Sequence, residues 1–228
     1  MPKLDLSSVT LFCADCYDAA RVVPIIERCK SLCNFGAVKL MTSCDLDYEH
    51  VVKIKPLTSH VMYSVWMVKK AYTFVDTEHM LVVQHDGWIL NPDVWNPSWL
   101  SYDYLSPLFI HNHQINALSV GQGGFSFRSR RLMEWIANRA PAWDETPAGT
   151  DHTQAMLGSY EDGVISLVYR HAALAAGFKY ASPEEASKFG QGGQCDPAYY
   201  VRRPFGFHGM WPNINQSTGI VEPWEPRP

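Results

Sequence analysis

The chain has 228 residues, of which 46% are hydrophobic and 18% charged, a composition typical of a globular protein and not of a disordered one. Its formal net charge of -4 provides no overall basic field for binding nucleic acid or an acidic membrane. The chain has no run of 18 apolar residues and no signal-like start, so we expect no membrane span, and a cytoplasmic location (in the protein's own cell or in a host cell).

The first ninety residues alternate between strand-like and helix-like patterns. Apolar runs predict strands over residues 8–13, 37–41, 51–54 and 80–84. Apolar residues at helical spacing predict helices over residues 22–33 and 61–75. This β-α-β-α-β order predicts parallel strands joined by right-handed crossovers, and therefore an α/β fold.

The rest of the chain is richer in loops and aromatic residues. Short strands are predicted over residues 108–110 and 178–181, and helices around residues 132–136, over 161–175 and after the capping box 182–185. On the helix from 161, the spacing places Val164, Val168 and Ala175 on the inner face. Residues 141–150 are predicted as a surface loop. We expect one domain, with a nucleotide-binding half (1–90), an acceptor and catalytic half (91–212) and an extended tail (213–228).

Six cysteines allow two interpretations. Cys13-x-x-Cys16 and Cys29-x-x-x-Cys33 have spacings that could hold zinc. Cys13 also ends an apolar strand, and Cys29 and Cys33 lie on one apolar helix face, where cysteine packs as a small hydrophobic residue. We favour free thiols, because packing already explains these positions.

Carboxylates follow several predicted strands. Asp15 follows the first strand, Asp45 and Asp47 the second, and Asp86 with Gly87 the strand over 80–84. Ligands of open α/β sheets bind at this carboxyl edge. The chain has no glycine-rich dinucleotide motif after the first strand and no Walker A motif, so a bound nucleotide would need a divalent cation on oxygen ligands to neutralise its phosphates. Asp86 suits that role, although an Asp-Gly pair can also simply form a turn.

Two further groups could carry chemistry. Glu161 and Asp162 open a predicted helix, where they could act as a base or could only compensate the helix dipole. His208 lies between glycines in an aromatic loop and could be a metal ligand or a structural residue.

Five stretches, in order, resemble the DUF5672-type family, whose members look like small GT-A glycosyltransferases of bacterial and phage type. The stretches are LVVQHDGWILNPDVW, YDYLSP, VGQGGFSFRSRRL, YEDG and FGFHG, and they cover roughly residues 60–210. The resemblance implies a GT-A-like, Rossmann-like fold in which helices flank a mixed, mostly parallel central sheet. It also implies a metal-dependent enzyme that moves a sugar from a nucleotide-sugar donor, most simply a UDP-sugar, to an acceptor hydroxyl.

The resemblance assigns roles by position. Asp86 would hold Mn²⁺ or Mg²⁺ at the donor diphosphate with His208, while Gln84 stands where the family's D-x-D-like motif has its first acid. Glu161 and Asp162 match the acidic pair that supplies the catalytic base.

The same resemblance assigns the remaining donor contacts. The loop Gly123, Gly124, Phe125 and Ser126 would approach the donor sugar and the acceptor. Asp15 would contact the nucleotide base or ribose, and Lys69 could reach a phosphate.

The acceptor could be a glycan or a hydroxymethylated base of phage DNA. The arginines that could contact DNA phosphates are Arg128, Arg130, Arg131, Arg202 and Arg203, although a solvated helix face is the interpretation we favour. Gln84 motivates a second hypothesis, a non-catalytic nucleotide- or sugar-binding module. A third is a nucleotide-dependent hydrolase or nuclease built on Asp86, Asp162 and His208. The sequence leaves the oligomeric state open.

Overall fold

The protein is described from a computed structural model that covers residues 2–110, 118–140, 160–192, 197–209, 214–215 and 217–221. The predicted loop at 141–150 lies outside these residues. In chain order the strands are β1 (Leu4–Ala14), β2 (Cys33–Thr42), β3 (Val51–Lys53), β4 (His79–Val82), β5 (Tyr104–Leu105), β6 (Leu108–Ile110), β7 (Leu118–Val120), β8 (Ser126–Ser129), β9 (Gly190–Gly192), β10 (Gly206–His208), β11 (Ile214–Asn215) and β12 (Ile220–Val221).

A six-stranded sheet with the order β3-β2-β1-β4-β8-β5 forms the centre of the fold. Strands β1 to β4 pair in parallel, and β8 pairs antiparallel with both of its neighbours. The parallel strands are apolar on both faces, as buried parallel strands are: Leu11, Phe12, Leu81 and Val82 are at most 1% exposed. The predicted α/β class with a mixed, mostly parallel central sheet is confirmed.

Within the described residues, six α-helices flank the sheet: α1 (Val23–Leu32), α2 (His60–Lys69), α3 (Arg130–Ala137), α4 (Glu161–Gly163), α5 (Arg170–Ala175) and α6 (Pro183–Phe189). Serine caps begin three of them, since the hydroxyls of Ser59, Ser129 and Ser182 accept from backbone N–H groups at the starts of α2, α3 and α6. The Ser182 cap of the predicted capping box is therefore confirmed, while the Glu185 carboxylate accepts from Trp99 Nε1 and Lys188 Nζ. No helix in the described part of the chain is long and apolar enough to cross a membrane.

Several predicted boundaries move. Cys33 begins β2 instead of ending the helix, and α2 ends at Lys69 before a 3-10 helix at Ala71–Phe74. The strand predicted at 178–181 is reduced to one bridge between Tyr104 and Tyr180. The apolar pattern continues across each of these boundaries, so it does not mark where one element ends.

The predicted inner face of the helix from residue 161 is wrong beyond its first turn. A π-helical segment, Val164–Val168, separates α4 from α5, and the Tyr169 N–H donates to the Val164 carbonyl five residues earlier. The extra residue rotates the helix face, so Val168 is 57% exposed while Ile165 and Ser166 are buried. A period of 3.6 residues cannot anticipate this insertion.

The C-terminal part of the family-like region packs back onto the segment after β4. Ile89 forms a bridge with Gly206, and the N–H groups of Leu90 and Asn91 donate to the Phe205 carbonyl. Strand β10 also pairs in parallel with β9. The bonds between residues 89–91 and 205–206 bring residues 206–208 beside the carboxyl end of β4. Of the predicted tail, β11 and β12 form an antiparallel pair.

Candidate active site

The turn after β4 places Asp86 at the carboxyl edge of the sheet. Gln84 and Gly87 exchange two backbone hydrogen bonds of 3.1 Å, which leaves His85 and Asp86 at the tip of a two-residue turn. A Cβ atom on Gly87 would lie 2.9 Å from the Gly124 carbonyl oxygen. Glycine is therefore required here by the close approach of another backbone, and the turn is held against residue 124.

His208 meets Asp86 across this turn. The Gly209 N–H donates to the Asp86 carbonyl at 2.8 Å, and His208 Nε2 lies 3.8 Å from Asp86 Oδ1. That separation is too long for a hydrogen bond. Asp86 Oδ1 is buried and has no hydrogen-bond donor. A buried carboxylate oxygen that faces an imidazole nitrogen without a direct contact is an arrangement that a cation between them would stabilise.

The imidazole is suited to be a ligand. Its Nδ1 lies 3.0 Å from Gln122 Oε1. Burial lowers the pKa of His208, with Asp86 opposing that shift, so the ring is held in its neutral, ligand-competent form. His85, whose Nδ1 lies 3.8 Å from Asp86 Oδ1, is 42% exposed at the rim.

Two protein ligands fit a cation that is also bound by its substrate. Within the ranges described above, no three His, Cys, Asp or Glu side chains form a cluster that could hold a metal ion. Mg²⁺ commonly keeps several waters and binds through one or two carboxylates plus substrate phosphates. The residues present therefore fit Mn²⁺ or Mg²⁺ shared with a diphosphate, and do not fit a closed structural site.

The Glu161–Asp162 pair lies on the other side of the glycine loop. Arg128 Nη2 donates to Glu161 Oε1 at 3.1 Å, and both side chains are buried. Asp162 accepts from the Gly123 N–H at 3.1 Å and from the Gly163 N–H at 2.7 Å. Burial, and then the charge of Glu161, raise the pKa of Asp162 to about 7. Glu161 is held in an ion pair, so Asp162 is the candidate proton acceptor.

Gly123 and Gly124 separate the acids from the Asp86–His208 pair. A Cβ atom on Gly123 would lie 2.3 Å from Glu161 Oε1, and one on Gly124 would lie 2.1 Å from His208 Nε2. The sequence contains no sign that the two pairs are neighbours. In the structure, the backbone of Gly123 and Gly124 lies between them and approaches both pairs closely.

A cavity of about 340 Å³ lies at the carboxyl ends of β1 and β4. Its walls include Asp15, Tyr17, Arg21, His60, Tyr63 and Gln84. Gln84 Nε2 donates to the Tyr63 hydroxyl at 2.9 Å, so this amide connects the turn to α2. Gln84 is neutral and cannot replace the charge of the acid that the resemblance expects at its position.

Asp15 lies in this cavity wall, but its carboxylate is already engaged. Oδ1 accepts from the N–H groups of Tyr17 and Asp18, and Oδ2 accepts from Arg21 Nε at 3.0 Å. The side chain therefore shapes the loop that borders the cavity.

Three side chains predicted to contact the donor already have partners within the protein. Lys69 Nζ donates to the carbonyls of Ala137 and Ala140 after α3, so its ammonium group is already bound away from the phosphate position. Phe125 is fully buried among aromatic side chains. Ser126 is buried as well, and its hydroxyl donates to the Gly123 carbonyl at 2.7 Å. These last two side chains support the glycine loop and do not face a ligand.

The arginine cluster does not form one basic surface. Arg128 is fully buried with Glu161, and Arg131 makes bonds of 2.7 and 2.6 Å to the two Asp103 oxygens. Arg203 pairs with Asp93 at 3.1 Å. Acidic partners therefore neutralise three of the five predicted arginines, whereas Arg130 and Arg202 are exposed.

The zinc alternative also fails. The cysteines in the described part of the chain (Cys13, Cys16, Cys29, Cys33 and Cys44) are free thiols. Burial raises the pKa of the Cys29 thiol to about 12, which disfavours the thiolate that zinc requires. Asp45 and Asp47 are exposed on the loop after β2.

Sequence reasoning missed Gln122, Tyr63 and Arg128 as members of this site. Gln122 and Arg128 lie inside the stretch VGQGGFSFRSRRL, which was the available signal. For Tyr63, the sequence contains no signal of a functional role beyond its place on a predicted helix.

Comparisons with known proteins place the chain in a family. The profile of the family described as "Protein of unknown function (DUF5672)" matches residues 47–208, and the chain belongs to this family. No curated protein matches the chain. A crystal structure of a glycosyltransferase involved in the glycosylation of the major capsid of PBCV-1 is 13% identical, with a TM-score of 0.49, over 92% of this chain and 96% of that one. A likeness at that level does not establish a shared activity.

Proposed function

We propose that the protein is a metal-dependent glycosyltransferase that moves a sugar from a nucleotide-sugar donor to an acceptor hydroxyl. One observation carries the proposal: the buried, donorless Asp86 Oδ1 faces His208 Nε2 at 3.8 Å, and two glycines separate this pair from a carboxyl group with a raised pKa. The combination provides a place for a cation-bound diphosphate and a base within one site.

The donor would lie along the carboxyl edge of β1 and β4. Its nucleoside would occupy the 340 Å³ cavity, and its diphosphate would lie beside Asp86 and His208, which would hold Mn²⁺ or Mg²⁺. Such a cation supplies positive charge that stabilises a departing nucleoside diphosphate. A UDP-sugar is the donor we propose to test first.

Asp162 would accept the proton of the acceptor hydroxyl. A base works best when its pKa is near the working pH, and the pKa of about 7 meets this condition. The two backbone N–H bonds hold the carboxylate in place, and the Arg128–Glu161 ion pair keeps a negative charge beside it. Because Arg128, Arg131 and Arg203 are paired with acidic side chains, a glycan is the acceptor class we propose.

The test is hydrolysis of nucleotide sugars with Mn²⁺ or Mg²⁺ by the wild type, Asp86→Ala and Asp162→Ala. Asp93→Ala is the matched control, since Asp93 is half exposed and pairs with Arg203 at the surface. We expect turnover in the wild type and the control, and its loss by about 100-fold or more in both site variants. Turnover that is indifferent to both changes would refute the site.

A second candidate is a binding module without catalysis. Gln84 favours it, because its amide is bound to Tyr63 and supplies no second negative charge to a cation. In the same experiment this module would bind nucleotide sugars and release neither sugar nor nucleotide.

A further inference from the structure

Gln122 contacts the histidine of the proposed cation site from the side opposite the carboxylate. His208 Nδ1 lies 3.0 Å from Gln122 Oε1, while His208 Nε2 faces Asp86. A neutral imidazole carries one proton, on either nitrogen, and only the nitrogen without it can bind a metal. The partner of Nδ1 therefore decides which nitrogen is available to a cation.

The amide of Gln122 can adopt only one orientation here. Its Nε2 donates to the Leu108 carbonyl at 2.7 Å, and a carbonyl oxygen can only accept. The reversed amide would place two acceptor oxygens against each other and lose this bond. Oε1 must consequently face His208, and since Oε1 also only accepts, Nδ1 must donate.

The surroundings keep Gln122 in this position. Its side chain is 8% exposed, and its backbone N–H donates to the Pro107 carbonyl at 3.2 Å. Gly192 is the register partner of His208 on the neighbouring strand, and a Cβ atom there would lie 1.8 Å from Gln122 Nε2. The missing side chain at residue 192 leaves the space that the amide fills.

We propose that Gln122 is a positioning residue that fixes His208 in the tautomer protonated at Nδ1, so that the Nε2 lone pair points at Asp86 and is ready for a divalent cation. The inference rests on the proposed function, because the cation is what makes this tautomer useful. With the other tautomer, an Nε2–H group would occupy the position of the cation.

The first test reads the tautomer directly, without metal or substrate. Two-bond ¹H–¹⁵N correlation spectra of the EDTA-treated protein at pH 8 distinguish the two tautomers, and His208→Asn identifies the His208 signals among the 9 histidines. We expect the wild type to be protonated at Nδ1 and Gln122→Leu to populate the Nε2–H tautomer. Gln122→Glu loses the bond to the Leu108 carbonyl and some stability, but we expect it to keep Nδ1 protonated, since a carboxylate also accepts from Nδ1.

Gln191→Leu is the matched control. Gln191 is a buried glutamine whose Nε2 also donates to backbone carbonyls, of Ser187 and Tyr199, so its loss removes a comparable amide without touching His208. We expect its His208 signals to match those of the wild type. An Nε2–H tautomer in the wild type, or an unchanged tautomer in folded Gln122→Leu, would overturn the proposal.

The second test measures Mn²⁺ affinity in the presence of UDP by electron paramagnetic resonance of free Mn²⁺. Loss of a group that orients a metal-binding histidine typically weakens binding by about 10- to 100-fold, which is the expected result for Gln122→Leu. Gln122→Glu and Gln191→Leu should stay close to the wild type. If no variant and no wild type binds Mn²⁺, the proposed metal-dependent function fails, while the spectra still decide the role of Gln122. Equal Mn²⁺ affinity in the wild type and Gln122→Leu would contradict the proposal.

Discussion

At the scale of single residues, the Asp86 carboxylate destabilises the folded protein in the absence of a metal ion. A buried carboxylate oxygen without a donor destabilises the folded state, and here nitrogens of His208 and His85 both lie 3.8 Å away, beyond hydrogen-bond distance. A residue kept for packing alone would be expected to have a partner. This imbalance is why we assign Asp86 to ligand binding.

Replacing Asp86 by Asn should therefore separate stability from binding. The new amide can donate to His208 Nε2 after a small rotation, so we expect the free energy of unfolding of the metal-free protein to rise by about 1 kcal/mol. Mn²⁺ binding should be lost in the same variant. Urea denaturation and Mn²⁺ titration measure the two effects, with Asp93→Asn as the surface control. A clear loss of stability in Asp86→Asn would assign the carboxylate a structural role instead.

The raised pKa of Asp162 should make stability and donor turnover change in opposite directions with pH. Its pKa is raised from an ordinary value of 3.8 to about 7, so the folded state holds a proton that the unfolded state has released between these values. The contribution of Asp162 to stability is fully present below pH 3.8 and is lost as the pH rises through about 7. Donor turnover should instead rise with pH through about 7, because the base must be ionised.

The pH dependence of kcat/KM, measured beside urea denaturation from pH 5 to 8.5, tests both effects. Asp162→Asn should lose the rising limb near pH 7 and should show a flatter dependence of stability on pH. A rising limb of unchanged position in Asp162→Asn would exclude Asp162 as the base.

At the scale of elements, the glycine loop before β8 holds Asp162 in place. The N–H of Gly123 binds the Asp162 carboxylate, and the carbonyl of Gly123 accepts from Ser126 and Arg128. The loop is thus held through both of its backbone groups. Its next residue, Gly124, lies directly against His208 and Gln84.

Gly124→Ala should disable the cation site and keep the fold. The added Cβ atom would lie 2.1 Å from His208 Nε2 and 2.4 Å from Gln84 Oε1, so the imidazole has to move. We expect Mn²⁺ affinity in the presence of UDP to fall by about 10-fold or more, consistent with the sensitivity of metal sites to ligand orientation.

Gly177→Ala is the control for this substitution. Gly177 has a φ of +87° at the end of α5, and a Cβ atom there would contact nothing within 4 Å. The change should cost about 1 kcal/mol of stability through backbone strain and leave Mn²⁺ binding unchanged. Equal Mn²⁺ affinity in Gly124→Ala and the wild type would remove His208 from the site.

At the scale of the whole molecule, binding of donor and cation should be coupled. The described protein offers the cation only two ligands, so the diphosphate is needed to complete the coordination, and the cation in turn is needed to bind the diphosphate. Either component alone should bind weakly.

A thermal-shift panel of nucleotide sugars with and without Mn²⁺ measures this coupling. A ligand at about 100 times its Kd adds about 2.7 kcal/mol to the free energy of unfolding, which corresponds to a rise in Tm of roughly 5–10 °C for a chain of this size. We expect that rise only when Mn²⁺ and the correct donor are both present, and we expect Asp86→Ala to abolish it. A donor shift that is independent of Mn²⁺ would favour the binding module.

Much of the fold follows from patterns within short stretches of the chain. The alternation of strand and helix and the cap at Ser182 depend on residues a few positions apart, and both are confirmed. The predicted inner face beyond the π-helical segment was wrong, and the burial of Phe125 and Ser126 in the glycine loop was not anticipated. In both cases the outcome depends on packing against distant segments, which local periodicity does not contain.

The sequence by itself determined that the fold is α/β and that Asp86 ends a buried strand beside a glycine, because both are encoded by neighbouring residues. Only the tertiary structure decided that His208 faces Asp86, that Arg128 holds Glu161, and that Gln122 holds the far side of the imidazole. For the two contacts of His208, the physical reason is that backbone hydrogen bonds between residues 89–91 and 205–206 bring residue 208 beside the turn after β4. Such bonds can be made by almost any residues, so the sequence leaves no local mark of them.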